Sequence, residues 1–168
     1  KEKLIELLQE KRQAIISESV TKGINKDVRY KDSGIKWIGK IPENWNIRKI
    51  KYLSNIRNIK ANDNGSIYIG LENIESKTGK LLISNIDEQE ILGETANIFK
   101  TGDVLFGKLR PYLAKCIVAD FNGRCSSEFL VLETTTNILS EYLYFYMLSP
   151  IFIDVVNSST YGAKMPRA

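Results

Sequence analysis

The sequence predicts an α+β fold: a twisted, mostly antiparallel sheet with packed helices, preceded by a long N-terminal helix that pairs with another helix. Three observations predict it. A helical apolar stripe opens the chain, short apolar runs bounded by turn residues fill its middle, and a second helical stretch follows residue 139. The 168 residues suffice for one buried core plus an appendage.

In the N-terminal helix, residues 1–22, the apolar positions Leu4, Leu7, Leu8, Ala14, Ile15, Ile16 and Val20 fall on one stripe. Lys22-Gly23 supplies a basic last turn and a glycine stop. At 1.5 Å per residue such a helix is roughly 30 Å long. Its stripe breaks at Lys11-Arg12 and a loop follows, so we expect it to pack on another helix rather than inside the domain. Residues 23–46 read as a linker, with three glycines, one proline and scattered charge. Trp37, Ile38, Ile41 and Trp45 recur within it. Tryptophans in a loop pin it to a surface, either the domain's own core or a partner subunit.

From residue 47 to 168 the pattern is that of a second domain. Ile47–Ile59 is expected as a strand followed by a turn, although the spacing of Ile47, Ile50, Leu53 and Ile56 also suits a short helix. Residues 60–66 form a polar loop, Ile67–Leu71 a strand, Ser76–Gly79 a turn, Leu81–Ile83 a short strand and Asn97–Phe99 another. Val104–Phe106 runs as a strand into Gly107. Cys116–Ala119 is a strand that meets Asn122-Gly123, a strong hairpin signal, and returns from Arg124. That hairpin would put Asp120 opposite Cys125 and Cys116 opposite Phe129, out of register for a disulfide, so both cysteines read as reduced packing residues of a cytoplasmic protein. Phe129–Leu132 is a buried strand. Ser140 is the expected cap of a helix over 141–148, and Ser149-Pro150 restarts a helix to Val156. Tyr142, Tyr144, Phe145 and Tyr146 read as core and helix-packing surface rather than a base-stacking platform.

Composition excludes several classes of function. With no histidine, imidazole acid–base catalysis and most zinc sites are ruled out. No apolar run approaches the roughly 18 residues of a membrane span, and the opening Lys-Glu-Lys does not read as a secretory signal. Starting without Met in mid-pattern, the chain is expected to be a piece of something longer. There is no Walker phosphate loop, no Gly-x-Gly fingerprint and no Pro-Pro-aromatic motif of an amino-methyltransferase. Glu75-Ser76-Lys77 with Asp63 upstream resembles a nuclease triplet, but such triplets arise readily by chance, and no catalytic residue is assigned.

What remains is a pattern suited to a polyanion. Residues 1–60 hold 15 Lys/Arg against 7 Asp/Glu, whereas residues 61–168 hold 9 against 13, so only local clusters argue for nucleic acid. Lys108, Arg110 and Lys115 can neutralise phosphates. Arg110 and Arg124 carry the fork that reads guanine edges, while Asn62 and Asn64 suit adenine. Tyr112, Ser126, Ser127 and Tyr161 add hydroxyls. The basic tail adds Lys164 and Arg167.

Three segments carry a family resemblance: LLQEKRQAIISESVTKGINKDVRYKDSGIKWIGKIPENW (residues 7–45), GDVLFGKLRPYLAKCIVADFNGRCSSEFLVL (residues 102–132) and YGAKMPRA (residues 161–168). Together they resemble the specificity subunit of type I restriction–modification enzymes, over most of the chain. The resemblance implies a conserved coiled-coil-like helix (1–22), a conserved junction (23–46) and a target-recognition domain (47–168) whose C-terminal part is truncated. It implies a non-catalytic subunit that recognises one half of a split site in double-stranded DNA. Adenine methylation and restriction would be performed by methyltransferase subunits, which bind S-adenosylmethionine, and by motor-nuclease subunits. The chain would be one half of such a subunit, or a half-length form that pairs with a second copy of itself.

Leu4, Leu8 and Ile15 would then form the helix-pairing surface, and Trp37, Ile41, Pro42 and Trp45 the partner-binding junction. Lys108, Arg110, Tyr112 and Lys115 lie in a segment shared by proteins that read different sites, so they would hold phosphates or scaffold. Base choice would fall to variable loops at residues 60–68 and 76–80, among them Lys60, Ser66, Tyr68 and Lys77. The competing reading is an interaction or antirestriction module that uses the helix and aromatic junction without touching DNA.

Overall fold

The computed structural model describes residues 2–61, 67–82, 96–160 and 166–168. Helix α1 (Glu2–Lys22) opens the chain and stops where expected: Gly23 takes φ +78° and donates its N–H to the Ser19 carbonyl. The junction is more ordered than its composition suggests. Strands β1 (Tyr30–Asp32) and β2 (Lys40–Pro42) form an antiparallel hairpin, tightened by the Asp32 carboxylate accepting from the Gly34 N–H at 2.8 Å.

The remaining strands are β3 (Ser54–Ile56), β4 (Tyr68–Ile69), β5 (Ala96–Phe99), β6 (Val104–Gly107), β7 (Cys116–Val118), β8 (Gly123–Ser126) and β9 (Phe129–Thr134). Helices α2 (Ser140–Leu148) and α3 (Pro150–Ser158) close the chain. One four-stranded sheet runs β3-β9-β6-β7, all antiparallel; a three-stranded sheet runs β4-β8-β5, with β4 parallel to β8.

Strand alternation assigns the layers. Leu105, Ile117, Phe129 and Val131 pack with Ile69, Phe99 and Cys125 of the smaller sheet, while Val104, Phe106, Cys116 and Leu132 pack with Leu143, Met147, Leu148 and Ile153 of α2 and α3. The four-stranded sheet is therefore covered on both faces, which is why β6 reads as an unbroken apolar run. The α+β class with an N-terminal helix is what the sequence predicted.

Three local expectations fail. Asn122-Gly123 is not a hairpin turn: β7 belongs to the larger sheet and β8 to the smaller, so the chain crosses between layers there. The Asn122 side chain instead accepts from the Thr101 N–H at 2.9 Å. Gly123 is required by close packing, since a Cβ would sit 2.7 Å from both the Ile67 carbonyl and the Phe99 ring. The strand expected over Ile47–Ile59 is reversed in order, with a 3₁₀ turn at Ile50–Tyr52 before β3. Ser140 does not cap α2; its hydroxyl donates to the Gly102 carbonyl at 2.6 Å. Ser149 does cap α3, accepting from the Phe152 N–H.

Only the second half of α1 is covered by this chain. Ile16, Val20 and Thr21 are buried, and the Tyr142 hydroxyl donates to the Val20 carbonyl at 2.8 Å. Leu4, Ile5, Leu7, Leu8 and Ile15 are each more than half exposed. An ion pair that the sequence did not flag ties the strands together. Arg57 donates to Asp103 at 2.7 and 3.2 Å and lies 2.9 Å from Glu133. The hydrogen bond to Asp103 holds the Arg57 guanidinium above its ordinary pKa, against the opposing effect of burial.

Candidate nucleic-acid interface

The candidate residues fall into two groups that the fold brings side by side. The first lies on the outer face of the smaller sheet. Cys125 points into the core, so its neighbours Arg124 and Ser126 point outward. Arg124 is in register with Tyr68 on one side and Ile98 on the other. Residues 59–61 extend this sheet beyond β5, with Ile98 donating to the Ile59 carbonyl at 2.8 Å and Ala61 to the Ala96 carbonyl at 3.0 Å. Lys60 pairs with Asn97, itself in register with Cys125, so it lies at the edge of the inner face, its ammonium 2.9 Å from the Asn97 carboxamide oxygen.

The second group is the Lys108–Tyr112 segment. Leu109 pairs with Arg167, Arg110 donates its N–H to the Pro166 carbonyl at 2.8 Å, and Ala168 donates to the Lys108 carbonyl at 3.2 Å. Two motifs distant in sequence thus form one short ribbon. Arg110 takes a left-handed φ of 51°, directly before Pro111, where an extended backbone is the rule. A non-glycine residue there stores about 1–2 kcal/mol of strain. Arg110 and Tyr112 are exposed.

The groups meet at the turn after β8, where Lys108 donates its N–H to the Glu128 carbonyl at 2.8 Å. Burial pushes the Cys125 thiol up to about 12, against the positive charges of Lys108 and Lys60. Cys116 is raised further by complete burial; both cysteines are free, as the sequence implied.

Further candidates make contacts that serve the scaffold. Lys115, expected to hold phosphates or scaffold, takes the scaffold role, its ammonium donating to the Leu71 carbonyl at 2.7 Å. Arg167 forms a two-pronged pair with Glu128 at 3.0 and 3.2 Å, which balances its charge. Ser126 accepts from the Glu128 N–H, and Ser127 is half-buried in the same turn. Lys77 stands apart from the sheet face. Its turn rests on α1, where Arg12 and Gln13 donate to the Thr78 and Lys77 carbonyls at 3.2 and 3.4 Å, and on α2, where the Tyr144 hydroxyl reaches Thr78. Glu75 accepts from the Thr78 hydroxyl, so the nuclease-like triplet is part of a turn. Asn62, Asp63, Asn64, Ser66, Tyr161 and Lys164 lie outside the described residues.

At the partner surface the outcome is split. Leu4, Leu8 and Ile15 are exposed, and Trp37 stands at the hairpin tip, 47% exposed. Ile41 and Pro42, expected to face a partner, are instead buried in this chain, because β2 packs against α1. Trp45 is half-buried, its ring 3.2 Å from where a Cβ on Gly23 would lie. The Tyr142, Tyr144 and Tyr146 phenols are raised by burial, as helix-packing residues should be. Among the described residues no cluster could ligate a metal, and no helix is long and apolar enough to cross a membrane. Sequence reasoning missed Asn97 and Glu128, which only the tertiary fold brings to Lys60 and Arg167.

The arrangement is a half-buried outward sheet face with a basic ribbon beside it, in a chain whose N-terminal helix exposes its first half. In fold, the chain is similar to type I specificity subunits. It superposes on the HsdS subunit from Thermoanaerobacter tengcongensis with a TM-score of 0.54 at 17% identity, covering 75% of this chain and 36% of that one. A structure described as the basis of complex assembly and conformational transition of the type I R-M system gives 0.52 at 23% identity, over 71% and 30%. In sequence, the chain is 26% identical over 135 residues to the type I restriction enzyme EcoDI specificity subunit of Escherichia coli, covering 79% of this chain and 30% of that relative. No family model matches. The resemblance read from the sequence is therefore borne out, and the chain spans about a third of the length of the proteins it matches.

Proposed function

We propose that this chain is a DNA-recognition unit of a type I restriction–modification specificity subunit. It binds one half of a split duplex site and brings partner subunits to it. The observation that supports this most is the Lys108–Tyr112 ribbon, held by the tail and bonded to the turn that ends the Arg124 strand, within a chain whose sequence resembles a specificity subunit. Lys108 and Arg110 grip phosphates, which position without specifying; Tyr68 and Arg124 face the bases.

The chain supplies no catalysis. Methyl transfer to adenine belongs to a methyltransferase subunit, which would bind S-adenosylmethionine, and cleavage to motor-nuclease subunits. The exposed Leu4, Leu8 and Ile15 face of α1 pairs with a second helix, from the same subunit or from a second copy. The complex works in the cytoplasm, where its cysteines stay reduced.

Titrating a random duplex pool with the chain assembled on a methyltransferase subunit tests this reading. Sequence-selective binding that weakens steeply with salt is expected, with no magnesium-dependent cleavage by the chain alone. Unchanged DNA affinity and preference on adding the chain would refute it.

A further inference from the structure

A cavity of about 490 Å³ lies beside α2, where the last turn of α1, the junction and α2 meet. Its floor is Val20, Ile41 and Leu143, all at most 6% exposed, and its walls include Ile38, Trp45, Ile50 and Tyr146. The lining is apolar apart from Thr21, Asn46, Arg48, Asn137 and the tyrosine hydroxyls. Thr21 and Tyr142 already donate to the carbonyls of Ser17 and Val20, so neither asks for a ligand.

The apolar surface continues out of the cavity. Leu139 is 73% exposed, Ile47 40% and Tyr142 39%, all on its rim. A small molecule filling the cavity would leave these three in water. A helix laid across the rim, with large side chains at successive turns dropped inward, would cover them. The charge around the mouth selects among helices. Arg48 lines it, and the exposed Lys49 and Lys51 follow in chain order. Lys22 ends the adjoining helix. Glu43 and Glu141 are the nearby acids in the sequence, so the balance is positive. The N-terminus of α2 opens on the same rim, and its cap residue, Leu139, brings no side-chain acceptor to the bare N–H groups.

We infer that this cleft seats an amphipathic helix of a partner subunit, one whose apolar face is flanked by acidic residues. The inference rests on the proposed function for the identity of that subunit, the methyltransferase. It goes beyond it in giving the junction a second docking surface, distinct from the exposed face at the start of α1.

A photo-crosslinking residue, benzoylphenylalanine, placed at Leu139 tests this in the full chain mixed with the methyltransferase subunit. The expected product joins position 139 to a methyltransferase segment with apolar residues at helical spacing and a net negative charge. Arg48→Glu should weaken assembly at least tenfold while duplex binding by the chain stays unchanged. A crosslink to a second copy, to a basic segment or to nothing would overturn the inference. So would a lipid or other small apolar molecule retained in native mass spectrometry, or full assembly by Arg48→Glu. Duplex binding is read separately, so a failure of DNA recognition is distinguishable from a failure of docking.

Discussion

Arg110 donates its backbone N–H to the Pro166 carbonyl at 2.8 Å while holding φ at 51°, so the tail fastens a strained residue of the basic ribbon. Glycine accepts that backbone freely. Arg110→Gly should therefore raise stability by about 0.5–1 kcal/mol in urea unfolding, yet lower duplex affinity several-fold. A loss of stability would mean that the side chain, not its backbone, supports the fold.

The Arg57–Asp103 pair makes the opposite prediction. Its side chains are only 8% and 4% exposed, and β3, β9 and the turn before β6 converge on it. Arg57 keeps Glu133 if Asp103 is lost, but removing Arg57 strands the buried Asp103 carboxylate, so Arg57→Ala should cost about 3–5 kcal/mol. Arg167→Ala removes a pair exposed at 48% and 28%, and should cost under about 1 kcal/mol. Urea titration of the two variants side by side reads the contrast.

Both thiols should resist alkylation at pH 8 until denaturant is added, as read by mass spectrometry. Burial raises the Cys125 pKa from 9.0 to about 12. A group whose pKa is raised on folding stabilises fully below its unfolded value. That contribution is intact below pH 9.0 and is lost as pH climbs towards about 12, because the unfolded chain then releases a proton that the folded chain keeps.

The exposed start of α1 should behave as an interface rather than as core. Leu8→Lys should leave thermal unfolding of the chain within about 0.5 kcal/mol, since Leu8 is 57% exposed. It should abolish helix-mediated association, as measured by sedimentation of the assembled subunit.

Local signals were legible, and long-range ones were not. The end of α1 at Gly23 and the restart of α3 at Ser149-Pro150 each depend on a few adjacent residues, and both were read correctly. Asn122-Gly123 carried an equally local signal, but the fold used both residues for packing: one takes the Thr101 N–H and the other makes room for Phe99. In the site, Lys108, Arg110 and Tyr112 were visible because they are neighbours in sequence. That Lys60 would rest on Asn97, or Arg167 on Glu128, depends on strands meeting from distant segments. Lys115 and Lys77 looked like DNA contacts, one at the phosphates or scaffold and one in a base-choosing loop, because sequence shows the charge and not its direction. One turns to the Leu71 carbonyl, and the other sits in a turn held by α1.

Selection from a random duplex library, using the chain assembled with its methyltransferase subunit, tests the central claim that the sheet face chooses and the ribbon grips. The account predicts that wild type enriches a defined half-site and that Arg124→Ala relaxes it at one or two base pairs, losing about 1–3 kcal/mol of discrimination. Lys108→Ala should keep the same half-site while the salt slope falls by about 0.9. An unaltered half-site with Arg124→Ala, or a changed one with Lys108→Ala, would contradict it.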